Sequence, residues 1–131
     1  MTITSYCIIR NQQILTPSEK FSLTQSSFDD FLIALYDRLQ ANYPRFYKMD
    51  NQSKLGFLAA EILLKEYSIQ LYKPETVSIV LSNANASLDT DIRFEASTQT
   101  AASPSLFVYT LANIVMGELC IRHGIKGENA F

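Results

Sequence analysis

The spacing of apolar and polar positions changes several times along the chain, and each change marks an element. Tyr6-Cys7-Ile8-Ile9 is a short apolar, partly β-branched run. The stretch from Tyr6 to Leu15 therefore predicts a strand or hairpin, with Asn11-Gln12 placed to turn the chain and Thr16-Pro17-Ser18 closing it. Phe28, Phe31, Leu32, Leu35 and Leu39 then recur at helical spacing, behind Ser26 or Ser27 as a cap and with Asp29 and Asp30 in the first turn. This helix is expected to run to about Asn42 and to end at Tyr43-Pro44, because the residue before a proline avoids the helical region.

A second helix is predicted from Asp50, a good N-cap, to about Tyr67, with Leu55, Leu58, Ala59, Ile62 and Leu63 at helical spacing. Gly56, Ala59 and Ala60 leave one side of it with little bulk, which permits close approach of a neighbour; plain core packing is the favoured explanation. After the turn at Lys73-Pro74-Glu75, Thr76 to Leu81 is nearly all apolar or β-branched and predicts a buried parallel strand. Ser82 to Ser87 follows at its C-terminal end, where α/β sheets commonly bind ligands. Leu88, Ile92 and Ala96 permit a short helix beginning near Asp89. Ser103-Pro104-Ser105 is a helix-start signal, and Leu106 to Arg122 then predicts one long buried helix, wrapped by Leu111, Ile114, Val115, Leu119 and Ile121. Gly124 is expected at its C-cap and Gly127 at a turn, with a further strand starting at Glu128.

Composition narrows the function classes. The chain has 131 residues, suited to one domain, and no linker, repeat or low-complexity tract divides it. Charged residues make up 18%, below the roughly one quarter typical of globular domains, which hints at surface covered by something else. The net charge of −2 and the absence of a Lys/Arg run argue against nucleic-acid binding, which needs clustered cations. No apolar run has the length of a membrane span, and the N-terminal segment lacks the character of a signal peptide, so a cytoplasmic location is expected. Cys7 and Cys120 are accordingly expected as free thiols.

Candidate chemistry is sparse. Cys120 and the single histidine, His123, are three apart on one helix face, which could in principle make a thiolate; a packed cysteine beside a helix-end histidine is the favoured reading. Three Cys/His residues in all, none in a CxxC pattern, argue against zinc. Glu61, Glu66, Asp89, Asp91 and Glu95 are scattered and read as solvated carboxylates. No phosphate-cradling glycine motif occurs. No metal and no cofactor is expected.

One segment adds a specific expectation. Ser103, Pro104, Thr110, Asn113, Gly117, Ile121, Gly124, Gly127 and Asn129 match, without a gap, the pattern S-P-x-x-x-x-x-T-x-x-N-x-x-x-G-x-x-x-I-x-x-G-x-x-G-P-N, with Glu128 in place of the proline. This stretch resembles a signature of the β-ketoacyl synthases. Two upstream stretches agree in order and spacing. Lys48-Met49-Asp50, leading into the Gly56/Ala59/Ala60 helix, resembles the family's helix start. The strand Val77 to Leu81 resembles the one before the family's glycine-rich loop, although here the loop, Ser82 to Ser87, carries asparagines. The resemblance is specific from about Tyr47 to Asn129 and weak before it.

The resemblance implies an α/β, thiolase-like fold over residues 1–131: an incomplete N-terminal half with a small mixed sheet and three to four helices. In the family a nucleophilic cysteine follows the last matched residues, and two histidines and a lysine come later; Phe131 precedes the positions of all of them. Neither Cys7, Cys120 nor His123 matches a catalytic position, so no catalytic residue is carried over. Asn85 matches a pocket-gating position, and Phe107 and Thr110 match acyl-pocket positions near the subunit boundary. The implied function is a non-catalytic synthase-like subunit that pairs with a full ketosynthase or with itself in fatty-acid, polyketide or aryl-polyene-type biosynthesis, with acyl carrier protein as a further possible partner. The alternatives are a truncated piece of an active 3-oxoacyl-acyl carrier protein synthase, or a module that binds an acyl chain or carrier protein.

Overall fold

The fold is taken from a computed structural model that describes residues 2–65 and 67–131. The hairpin forms where the sequence places it. β1 (Ile8–Arg10) and β2 (Gln13–Leu15) pair antiparallel around Asn11-Gln12, and both turn residues have positive φ, 49° and 59°. A two-residue turn with both residues in the left-handed region matches the natural twist of the flanking strands. An unpredicted third strand, β3 (Lys20–Ser22), adds to β2. Its polar flanks hide it in the sequence; Ile14, fully buried, and the half-buried Phe21 opposite it turn the sheet toward the helices.

α1 (Phe28–Leu39) is capped by Ser27, whose hydroxyl accepts from the Asp30 amide at 3.0 Å. It buries Phe31, Leu32, Leu35 and Tyr36, while Phe28 stays largely exposed. It stops before Asn42, because Gln40 takes a left-handed conformation and returns its amide to the Asp37 carbonyl. A 3-10 turn at Pro44–Lys48 then inserts Phe46 against Tyr36, ring centroids 4.1 Å apart.

α2 (Asn51–Lys65) begins as predicted: an Asp50 carboxylate oxygen accepts from the Ser53 amide at 3.0 Å. Its expected end at Tyr67 falls past the last described helical residue, and Glu66 lies outside the described residues. α2 packs on α1 and on α5 (Ile114–His123), and the main core lies between these helices and the antiparallel sheet.

Three expectations are corrected. The buried strand over Thr76–Leu81 shrinks to β4 (Ile79–Val80), preceded by a 3-10 turn at Pro74–Thr76, and Val80 is 81% exposed. β4 does run parallel to its partner, β5 (Asn129–Ala130). Second, one mixed sheet is replaced by two separate sheets, one antiparallel and one parallel.

Third, the long helix is broken. α4 (Pro104–Val108) and α5 are separate, so the described residues contain five α-helices, with α3 at Leu88–Thr98. Amides of Tyr109, Thr110 and Ile114 bond three residues back rather than four. The Thr110 hydroxyl donates to the Phe107 carbonyl at 2.7 Å, and the Thr110 carbonyl is taken by the Ser87 hydroxyl at 2.6 Å. A continuous helix would use that carbonyl for the Ile114 amide. Leu111 and Ile121, expected in the core, are 54% and 61% exposed.

Candidate functional site

α2 and α5 meet closely enough to bring together side chains that are far apart in sequence. Gly56 allows this approach: a Cβ there would lie 2.7 Å from Val115 Cγ2. One and two turns further along, Arg122 donates from Nε and Nη2 to the two oxygens of Glu61, both at 3.0 Å. Nη2 also donates to the Ala41 carbonyl at 2.6 Å, tying both helices to the end of α1. His123 Nε2 is 3.2 Å from Glu61 Oε1, close but without the alignment of a hydrogen bond.

Burial alone would raise the Glu61 carboxyl. The adjoining His123 and Arg122 outweigh it and bring the group from its ordinary 4.5 down to about 2. Glu61 is therefore an anion over the whole ordinary pH range. It is a counter-ion and orienting group, and it is a poor proton donor.

Cavities adjoin His123 on several sides. One, about 270 Å³, runs between α2, β4 and α5 and is walled by Ala60, Leu63, Leu119 and Ile125. A second, about 200 Å³, is bordered by Glu61, Lys65 and Gln70. Leu64, Ile69 and His123 contribute to both. Sequence reading weighed His123 only against Cys120. In the fold Cys120 Sγ instead accepts a 3.5 Å contact from Asn129 Nδ2, and the partner of His123 is Glu61, from another helix. The spacing of residues within one helix gave no signal of that pair.

Glu118 is the other buried carboxylate, 2% exposed. It accepts from Arg45 Nη2 and the Tyr43 hydroxyl, both at 3.1 Å, and from the Tyr109 hydroxyl at 3.3 Å. Burial and the adjacent Glu118 charge push the Tyr109 phenol up to about 12. These groups satisfy one another and fasten α5 to the Tyr43–Arg45 segment.

The three residues carried over from the family resemblance lie outside both clusters. Asn85 is exposed in the Ser82–Ser87 loop, its amide donating to Asn83 Oδ1 at 3.0 Å. Thr110 sits in the break between α4 and α5 and joins that loop through Ser87. Phe107 is 57% exposed and packs on Phe94 of α3, ring centroids 5.5 Å apart. The fold thus brings the Asn85 loop to Thr110 and sets Phe107 against a different neighbour.

Two surfaces are unusually apolar. Leu88 and Ile92 on α3 are 52% and 58% exposed, with Ala96 exposed one turn on, so the apolar row that marked this helix faces outward. The β4–β5 pair carries exposed Val80, with exposed Phe131 directly after β5. Its bonds use alternate residues, Ile79 N to Glu128 O at 3.2 Å and Leu81 N to Ala130 O at 2.9 Å, so the Val80 backbone faces the opposite edge.

Cys7 and Cys120 are unbridged. Among the described residues no group of three or more His, Cys, Asp or Glu side chains is placed to hold a metal ion, and no helix is long and apolar enough to cross a membrane. In comparison with known proteins, no family model, curated protein or solved structure matches the chain.

Proposed function

We propose that this chain is a non-catalytic β-ketoacyl synthase-like subunit, related to the thiolase fold, that associates with a full synthase in fatty-acid, polyketide or aryl-polyene-type biosynthesis. The observation that carries the reading is the β4–β5 pair. Two short parallel strands, with Val80 81% exposed and its backbone edge unpaired among the described residues, make an arrangement that proteins ordinarily cover on both faces and extend with further strands. An added strand from a partner would satisfy the Val80 edge, and the outward apolar row of α3 offers a second contact of the same character.

The sequence supports the same reading. Gly124, Gly127 and Asn129 stand at the spacing of the synthase signature and build this corner: Gly124 caps α5 with φ 68°, and the Gly127 amide donates to the Val77 carbonyl at 3.1 Å. Condensation requires a thiolate to hold the acyl chain and groups to stabilise the enolate and its oxyanion. The partner role proposed here rests on the β4–β5 edge and not on any of these groups.

Co-expression with a neighbouring full synthase, followed by size-exclusion chromatography with light scattering, tests the proposal. The expected result is a stoichiometric complex that Val80→Lys weakens. A stable monomer that ignores every neighbouring synthase would overturn it.

A further inference from the structure

At the C-terminal end of α1 an open cleft of about 420 Å³ lies between the helix and the 3-10 turn at Pro44–Lys48. Its aromatic wall is held in place. Tyr47 makes T-shaped contacts with the rings of Tyr36 and Phe46, at 5.4 and 5.8 Å, yet remains 58% exposed. Its polar wall is unsatisfied. The side chains of Asp37, Gln40 and Asn42 are exposed and have no hydrogen-bond or ion-pair partner among the described residues. No lysine or arginine lines the cleft; Lys48, next to Tyr47, is exposed and lies outside the lining. The arginines of neighbouring segments are committed elsewhere. Arg38 lies over the Phe21 ring at 4.2 Å, Arg45 pairs with Glu118 at 3.1 Å, and Arg122 pairs with Glu61 while donating to the Ala41 carbonyl. A helix C-terminus carries partial negative charge, so helix end, carboxylate and ring face all favour a cation here.

We propose that this cleft binds an alkylguanidinium, such as an arginine side chain or a small guanidine, stacked on Tyr47 and donating to Asp37 and to the amide oxygens of Gln40 and Asn42. The left-handed backbone of Gln40 and Asn42, φ 51° and 45°, bends the chain between helix and turn and brings both amides to the cleft that Asp37 and Tyr47 line. A carboxylate or phosphate would meet Asp37 and the negative helix end with no lining cation to receive it. A quaternary ammonium suits the ring but has no N–H for the oxygen acceptors. A primary ammonium has three donors around a point charge. A guanidinium is planar, stacks on an aromatic face and presents five donors in a fork that a carboxylate accepts bidentately. The cleft shares no residue with β4–β5, and the inference stands without the partner role proposed above.

Titration of the 15N-labelled full chain, followed by two-dimensional NMR, reads this directly. The probes are butylguanidinium, N-acetyl-Gly-Arg-Gly-amide, butyltrimethylammonium and butyrate. Both guanidinium probes are expected to shift the amides of Asp37, Gln40, Asn42 and Tyr47 saturably, the quaternary ammonium more weakly and butyrate not at all. Tighter binding of the peptide assigns the site to an arginine side chain, and equal or tighter binding of butylguanidinium assigns it to a small guanidine. Asp37→Asn, at an exposed position, is expected to weaken the guanidinium probes about fivefold, as loss of one exposed charge contact implies. Tyr47→Leu is expected to weaken them about two- to fivefold through loss of the ring face. Unshifted amides in α2 and α5 of each variant verify that the fold is kept. The proposal is overturned if neither guanidinium probe gives a saturable shift at those residues, if butyltrimethylammonium binds as tightly, or if Asp37→Asn leaves the affinity intact.

Discussion

Gly56 and Val115 are in such close contact that a single added methyl group would bring carbon atoms to 2.7 Å. The α2–α5 crossing depends on this contact, and the crossing in turn sets Glu61 beside Arg122 and His123. The small-residue side of α2 therefore has a definite occupant at one position: Gly56 is where a neighbouring helix enters.

Gly56→Ala is expected to destabilise the fold by about 1–2 kcal/mol. Overpacking a tight contact costs about 1–3 kcal/mol, and the better helix propensity of alanine returns up to about 1. Val115, 2% exposed and stiff at χ1, has little room to yield. Urea denaturation of the single variants and of Gly56→Ala/Val115→Ala checks this, with the double variant recovering part of the Gly56→Ala loss.

Gly127→Ala is expected to be harsher. A Cβ at Gly127 would collide with the Val77 carbonyl oxygen and lie 3.0 Å from that of Glu75, and backbone cannot rotate aside. The β4–β5 pair should separate, with the amides of Ile79 and Leu81 exchanging hydrogen much faster while those of α1 stay protected. Equal protection of Ile79 and Leu81 in both proteins would contradict this account.

Thr90→Val tests the buried bond between α3 and the start of α2. The Thr90 hydroxyl donates to Asp50 Oδ2 at 2.8 Å, with Thr90 1% and Asp50 7% exposed. Removing the donor leaves a buried carboxylate oxygen unpaired, at a cost of about 1–3 kcal/mol. A lower thermal midpoint with an unchanged far-ultraviolet spectrum is expected.

Acid should act through Glu61. Its folded value, about 2, is below its ordinary 4.5. A depressed carboxylate contributes stability that is fully present above the ordinary value and is lost as pH falls toward the folded one. Stability measured by urea titration should therefore decline between about pH 4.5 and 2, and Glu61→Gln should flatten that slope while lowering stability at neutral pH.

What the sequence determined by itself is local. Ser27 and Asp50 cap their helices, Asn11-Gln12 turns the hairpin, Gly124 ends α5, and Ser103-Pro104 starts α4, because each acts on backbone groups within a few residues of itself. Periodicity likewise found α1, α2 and α3. It left open which way α3 faces, since an apolar row marks a helix whether or not a neighbour covers it. Asn85, Phe107 and Thr110 were chosen by their place in a linear pattern, and the break at Thr110 joins that residue to the Asn85 loop through Ser87 while Phe107 packs on Phe94.

Tertiary structure decided the rest. The Ser87 hydroxyl takes the Thr110 carbonyl across 23 residues, and Arg122 reaches Glu61 across 61. Such bonds exist only after chain segments have packed, so they leave no periodic trace. The α4–α5 break and the His123 crevice are products of that packing: hydrogen-bonding groups that local order would have paired within one helix were claimed by more distant partners.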